Sequence, residues 1–565
     1  MQLVLGARQS DLARLQAYLV GAALEQQGCE IKYAFRESLG DKNLTDPLWK
    51  MPEKGVFTQD FYQDLVSGKL DFVVHSWKDL PVESTPDTEI VATMPRADQR
   101  DLLLLKKTSL NKTNLKIFSS SPRREYNLIP FLRKHLPWQT ENIQFGSVRG
   151  NIPTRIQKLI DDNETDGLVL AKAAIDRLLS HPAEEFSQMK HNVSRNIQLC
   201  EWMVFPLSEN PNAPAQGALA IEIRKDRQDL KQLFAKIHCQ QTSQSVVHER
   251  KIFSQYGGGC HQKIGVSVES KPYGEILTVK GLSPQGEVLN QRELICSQNI
   301  PNNLVCKSLE FTITRQQNNN IMASDLSSLD AVWVSRAQAG GEFLKNYSGV
   351  VWAAGVKTWE QLAAMGIWVQ GCAEGLGEQE DPRLSVLMQA SKSKSILNTN
   401  EHHAQINGQI KNSSIELTQT VNWGLLTHDK NVGEDFAAET MSSFGSDASS
   451  SLISKKYFSA YQLDVQLDLA TADLSTDILQ NEKYFFYWKS YSQFQAACKA
   501  VPGIKKQFHA CGPGKTWHLI AQDLQKEDLN NLNTNKTELN KSNVQNDSKK
   551  LFIYLSEEDW RNEAL

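Results

Sequence analysis

LVLGARQSDLARLQAYLVGAALEQQGCEIKYAF (3–35) decides the fold. Leu3, Val4 and Leu5 make a short strand, and residues 6–9 turn away from it. Ser10 then caps a helix whose apolar positions Leu12, Leu15, Leu19 and Ala23 recur at helical spacing. Gly28 ends the helix, and Ile31 to Phe35 supply a second strand. A strand, a helix and a strand in that order predict parallel pairing through a right-handed crossover. Arg8 and Ser10 fall in the first turn, beside a helix N-terminus whose unpaired N–H groups attract anions. An arginine simply exposed in a turn is the plain alternative.

Further along, VVHSWKDLP (73–81) extends an apolar strand that begins with Leu70 and Phe72, then breaks into charge before Pro81. It presents Asp79 beside Lys78 at a strand end, where open α/β sheets place their chemistry; a solvated ion pair is the competing reading. SSSPRR (119–124) sets hydroxyls ahead of Arg123 and Arg124, with Pro122 suited to a first helical position. Ser121 and the free N–H groups there read as an anion cradle; an ordinary N-cap with solvent-facing arginines is the plain alternative. FGSVRGNIPTR (145–155) brackets a turn with Arg149 and Arg155, and Arg177 follows on the next helix. Guanidinium groups stay charged and grip carboxylates through paired bonds. Their recurrence at strand-to-helix connections implies a small polyanion rich in carboxylates. PNAPAQGALAI (211–221) reads as a crossover that returns the chain to its first domain. In GGGCH (257–261), three glycines free the backbone to carry the Cys260 sulfur into a cleft. A lone cysteine is more often inert core.

The length of 565 residues implies roughly three to five domains. A net charge of -4 argues against bulk affinity for nucleic acid. The nine cysteines are scattered, without a CxxC pair or a Cys/His cluster, so no metal is expected and the thiols read as reduced. The opening residues lack a signal-peptide core, and no run of about 18 apolar residues occurs. The expectation is a soluble, cytoplasmic monomer with no membrane and no nucleic-acid partner.

Beyond about residue 320 the texture changes. AVWVSRAQAGGEFL and VVWAAGVKTWEQLAAMG (331–366) resemble YFFYWKSYSQFQAA and FHACGPGKTWHLIAQ (484–522), each reading strand, helix, strand, helix. That is an internal duplication of an α/β lobe. Residues 391–454 are rich in Ser, Asn and Gln and read as a flexible insertion; 530–550 read as disordered. GPGKT (512–516) invites a phosphate-loop reading, but that loop needs a glycine at 509, where His509 stands.

Taken together, ARQS (7–10), KGVF (54–57), HSWKDLP (75–81), SSSPRR (119–124), VRGNIPTR (148–155), APAQGALAIE (213–222) and GGGCH (257–261) resemble hydroxymethylbilane synthase, also called porphobilinogen deaminase, over about residues 1–310. The resemblance implies two periplasmic-binding-protein-like α/β lobes, 1–95 plus 200–223 and 96–199, and a small α+β domain, 224–315. It implies a covalent dipyrromethane on Cys260, cradled by Lys78, Ser121, Arg123, Arg124 and Arg149. Arg8, Ser10, Arg155 and Arg177 would bind the substrate, porphobilinogen. Four units would be joined with loss of ammonia, and Asp79 would stabilise each azafulvenium cation as it forms. The sequence departs from the family pattern at Pro122, at Ala215 (where a glycine is common) and at Leu39 (where an arginine is common). The paired C-terminal lobes, 320–565, resemble uroporphyrinogen-III synthase, whose carried-over positions are Tyr461, Ser490 and Thr516. Each also fits a plain role, as core, helix cap and helix N-terminal residue. Two other readings remain: a deaminase with an inactive C-terminal binding region, or a non-catalytic carboxylate-binding protein.

Overall fold

The computed structural model describes residues 1–37, 59–81, 85–259, 261–296, 298–318, 321–392, 421–429, 453–468, 483–534 and 550–564. Cys260, Leu39, the 54–57 loop and most of 391–454 lie outside them.

Strand Gln2–Arg8 pairs in parallel with Glu30–Arg36 along its whole length, across helix Asp11–Glu25. Leu15, Val20 and Leu24 of that helix are buried, while the charged positions face out, as amphipathic spacing requires. The first sheet runs Glu30–Arg36, Gln2–Arg8, Phe72–Ser76, Leu219–Arg224, Thr88–Ala92. The second runs Asn142–Gly146, Asn114–Phe118, Gly167–Ala171, Asp101–Lys106, Cys200–Val204. In each, one strand lies antiparallel to its neighbours: Leu219–Arg224 in the first and Asp101–Lys106 in the second.

Two boundaries differ from the sequence expectation. Cys200–Val204 bonds to Asp101–Lys106, so only Leu219–Arg224 returns to the first sheet. The crossover therefore occupies 205–218, beside the outgoing segment 93–100. These two segments touch at Gly217, whose φ is +87° and where a Cβ would stand 2.6 Å from the Ala97 carbonyl oxygen. Only glycine fits that approach.

Helix Gln240–Ser254 packs on an antiparallel sheet of Lys263–Lys271, Gly274–Leu282 and Val288–Ile295. The expected end of this unit at 315 is also corrected. Val305–Lys307 pairs with Tyr484–Trp488, and Phe311–Gln317 pairs with Ile453–Leu467, so both belong to the C-terminal region.

That region holds two lobes. A six-stranded sheet runs Phe311–Gln317, Ile453–Leu467, Val421–His428, Ala331–Val334, Val350–Ala353, Gly371–Cys372. A four-stranded parallel sheet runs Val305–Lys307, Tyr484–Trp488, Phe508–Cys511, Leu551–Ile553. The antiparallel ladder of Phe311–Gln317 on Ile453–Leu467 spans from one lobe to the other, because Phe311 and Leu467 join the core of the four-stranded lobe. Val421–His428, expected within one long flexible insertion, is an inner strand of the six-stranded sheet, with Trp423 to Thr427 buried. Likewise helix Lys515–Thr534 runs past 530, into a stretch expected to lack structure.

The two halves share a core. Phe131 and Trp359 meet edge to face with centroids 5.1 Å apart. The Val204 amide donates to the Gln370 carbonyl (2.7 Å), and the Trp368 indole to the Trp202 carbonyl (3.1 Å).

Candidate active site

Strand Phe72–Ser76 ends in a tight turn, Trp77–Asp79. His75 points inward and bonds Glu222 of the neighbouring strand at 2.9 Å, a buried pair that fixes the sheet. Trp77 is buried, so the turn pushes Lys78 and Asp79 outward. Arg250, on helix Gln240–Ser254, clasps the turn from below by donating to the carbonyls of Trp77 (3.5 Å), Leu80 (3.2 Å) and Pro81. Burial pushes the Arg250 pKa down, which marks this guanidinium as embedded. The same helix leads straight into Gly257, Gly258 and Gly259, whose φ values of +86°, +63° and +97° explain the glycine run before Cys260.

Across from Asp79, Asp101 starts the inner strand of the second sheet with its side chain fully buried. It accepts bonds from Arg123 (2.7 Å), Arg124 (2.6 Å), Asn210 (2.9 Å) and Gln216 (2.9 Å). Burial alone would raise its pKa; the two guanidiniums more than cancel this and hold the carboxyl well below the usual range. Arg123 also donates to Asn210 (3.0 Å) and to the Pro211 carbonyl (2.7 Å), and Arg124 to the Val169 carbonyl (3.1 Å). Both expected ligand arginines are thus held from behind, Arg123 by three hydrogen bonds and Arg124 by two. Gln216 links this cluster to the turn, because Lys78 Nζ lies 3.4 Å from its Oε1.

Lys78 is half-buried, and its pKa is lowered by burial, with Asp79 opposing and Arg124 and Arg123 reinforcing. Arg155 is lowered to about 10, by burial first and then by Arg124 and Arg149, with Asp79 opposing. Those mutual effects place Lys78, Asp79, Arg123, Arg124, Arg149 and Arg155 in one cluster. Arg155 donates to the Gly150 carbonyl at 2.7 Å, and neither it nor Lys78 makes an ion pair with a described residue. Such an excess of cation over carboxylate fits a group carrying several carboxylates.

Ser10 and Ser121 both stand at helix N-caps in extended conformation, and neither caps its helix with its side chain. Arg8 closes strand Gln2–Arg8 immediately before Ser10. Arg177 donates to the Gly217 carbonyl at 2.6 Å, on the crossover. Pro122 begins helix Pro122–His135, so this departure suits the local geometry. Ala215 has φ +67° in a buried loop, where its amide donates to Glu249 at 2.8 Å. That left-handed backbone is why glycine suits the position.

The C-terminal candidates lie apart from this cluster. Tyr461 is buried on the ladder, Ser490 caps helix Tyr491–Ala500 by accepting from the Gln493 amide (3.3 Å), and Thr516 sits in the first turn of Lys515–Thr534. Gly514 of the GPGKT stretch has φ +91°, and a Cβ there would stand 2.2 Å from the Leu376 carbonyl oxygen. Lys515 pairs with Glu378 at 2.8 Å. The motif is a contact between lobes.

Residues 3–232 match the family model described as "Porphobilinogen deaminase, dipyromethane cofactor binding domain". Porphobilinogen deaminase of Clostridium novyi is 33% identical over 273 residues, which is 47% of this chain and 83% of that protein. That of Caldicellulosiruptor saccharolyticus is 35% identical over 47% of this chain and 83% of its own length. The chain belongs to the porphobilinogen deaminase family. Its cofactor is the dipyrromethane that the family model names. Among solved structures, an arginine periplasmic binding protein from Legionella pneumophila aligns over 46% of this chain and 95% of its own at 9% identity, with a TM-score of 0.21, too slight a likeness to carry an argument. Among the described residues, no helix is long and apolar enough to cross a membrane, and no three His, Cys, Asp or Glu side chains converge as a metal site.

Sequence reasoning missed Asp101, Gln216, Glu249 and Arg250 as parts of the site. Asp101 had a signal: a carboxylate directly before Leu102 to Leu105 must enter the core and find cations there. Glu249 takes both terminal nitrogens of Arg96 at 2.8 Å and sits in the middle of a helix, where no local pattern points to it.

Proposed function

We propose that this chain is a hydroxymethylbilane synthase, which joins four porphobilinogen units head to tail with loss of ammonia at each addition and releases the linear product by hydrolysis. The single observation that carries the reading is the Lys78–Asp79 turn, tied through Arg250 to the helix that leads to Cys260, with Arg124 acting on Lys78 and Asp79 acting on Arg155. Dipyrromethane, joined to the Cys260 sulfur, supplies the pyrrole carbon to which the first unit is added. In this reading Lys78, Ser121, Arg123, Arg124 and Arg149 hold its acetate and propionate groups, and Arg8, Ser10, Arg155 and Arg177 hold those of the incoming unit. Asp79 accepts pyrrole N–H hydrogen bonds and stabilises the cation left when ammonia departs. It also takes the proton lost from the carbon being substituted. The two five-stranded sheets are the lobes of the cleft, and the three-stranded sheet with helix Gln240–Ser254 is the unit that carries the cysteine.

For the C-terminal region we propose uroporphyrinogen-III synthase activity on the linear product. The discontinuous four-stranded lobe and the ladder between the lobes support a two-lobed cleft that folds a long substrate, work that needs positioning more than acid or base. A region that binds without catalysing is favoured by one observation: Ser490 already uses its hydroxyl as a helix cap. Porphobilinogen supplied to the purified chain separates the readings. Its consumption with formation of the type III isomer supports both halves. The type I isomer alone removes the C-terminal activity, and no consumption removes the deaminase reading.

A further inference from the structure

In the six-stranded sheet, Ala331–Val334 and Val421–His428 lie side by side in parallel, and the chain leaves them in opposite directions. From the first it proceeds outward to Val350–Ala353 and Gly371–Cys372; from the second it reaches Ile453–Leu467 on the other side. Connections that diverge in this way open a crevice at the carboxyl ends of the two strands, where open α/β sheets take their ligands. Ser335 and Arg336 follow the first strand directly, and His428 ends the second.

The neighbouring ladder closes in on the same spot. A register shift after Thr427 sets His428 opposite Tyr461, with ring centroids 5.9 Å apart. Gln317 also pairs with Tyr461 and donates to the Gln338 carbonyl, 3.4 Å away in the short helix Ala337–Gly340 that Arg336 precedes. Arg315, two residues before Gln317 on the same face of its strand, therefore comes up to Arg336. Slight burial lowers the Arg315 pKa, Arg336 lowers it further and Tyr461 opposes. Both arginines are exposed, and neither makes an ion pair or a side-chain hydrogen bond with a described residue. In the same turn the Ser335 hydroxyl oxygen is buried without a hydrogen-bond partner. Adjacent like charges without a counter-ion are unfavourable, and a carboxylate that takes bonds from both relieves them.

We propose that this crevice is a second carboxylate-binding site, in which Arg315 and Arg336 grip acidic side chains of a polycarboxylated pyrrole chain and the Ser335 hydroxyl supplies a further donor. The identity of that ligand rests on the reading above, since the N-terminal half would make such a chain. The carboxylate chemistry rests on the arginines themselves. Arg315 stands on the ladder that joins the two lobes.

The test is a fluorescence titration of the full-length holoprotein with uroporphyrin, a stable polycarboxylated tetrapyrrole, with inorganic phosphate as competitor. The Arg315→Gln, Arg336→Gln double variant is expected to bind uroporphyrin at least tenfold more weakly, with porphobilinogen consumption unchanged. Restoring charge with Arg315→Lys and Arg336→Lys should recover much of the affinity. Equal affinity of wild type and the Gln variant overturns the site, as does displacement by phosphate at concentrations comparable with uroporphyrin, which would mark a phosphate site. If the wild type yields only the type I isomer while the Gln variant still loses binding, the synthase reading fails and the site stands. If the Gln variant yields the type III isomer with binding unchanged, the site fails and the synthase reading stands.

Discussion

The sheet that begins at Asp101 and the sheet that contains Trp333 pack against one another through shared apolar clusters, yet they differ in what else they bury. The first buries ions. Asp98, Asp101, Arg123, Arg124 and Lys172 are all shielded from solvent and matched to one another. The second and its companion lobe bury aromatic rings, with Trp359, Trp488 and Trp560 fully enclosed. A buried ion tolerates few partners, since losing one strands the other in low dielectric. An apolar core accepts many combinations of similar volume. The charged sheet consequently writes itself into short fixed motifs, while the aromatic one leaves a looser trace.

The strongest way to break this comparison is Asp101→Asn. With Arg123 and Arg124 left uncompensated, the loss should be about 3–5 kcal/mol in urea unfolding. Its sign with pH follows from the depressed carboxyl. Because the folded pKa lies below the unfolded value of about 3.9, Asp101 contributes stability above that value and loses it as pH falls toward the folded pKa. Wild-type stability should therefore decline more steeply below about pH 4 than that of the variant. A flat difference between the two across that range would show that the pair is not what stabilises the second sheet.

Next in size, Asp79→Ala should reduce porphobilinogen turnover by about 10²–10³-fold, the usual effect of removing one preorganised stabilising group. Thermal unfolding should not move, because Asp79 is exposed at a turn held by Arg250. Gly514→Ala is the counterpart in the C-terminal half. It forces a left-handed alanine against the Leu376 carbonyl, and about 1–3 kcal/mol of destabilisation is expected, seen as an earlier melting step with porphobilinogen consumption retained. Smallest, Ala215→Gly should stabilise by about 0.5–1 kcal/mol, the relief of left-handed strain less the entropy glycine adds to the unfolded chain. A loss of stability would mean that the alanine methyl packs better than its backbone is strained.

The same contrast explains what the sequence disclosed. The first crossover, the Lys78–Asp79 turn and Pro122 at the start of its helix were legible, because strand ends, caps and proline act through local rules. Glu249 and Arg250 were not, because their partners lie far along the chain and a single sequence carries no record of the pairing. Val421–His428 was hidden for another reason. It is a short apolar run, VNWGLLTH, inside a polar stretch, and composition averaged over the stretch buried its signal. GPGKT resembled a nucleotide motif because a glycine with positive φ followed by a lysine also serves a close contact between lobes.

Mass spectrometry of the intact protein after brief exposure to limiting porphobilinogen probes the account most directly. A covalent ladder is expected, with species heavier than the resting protein by successive pyrrole units, all absent from Cys260→Ser. A single unmodified mass before and after exposure would contradict elongation on that sulfur.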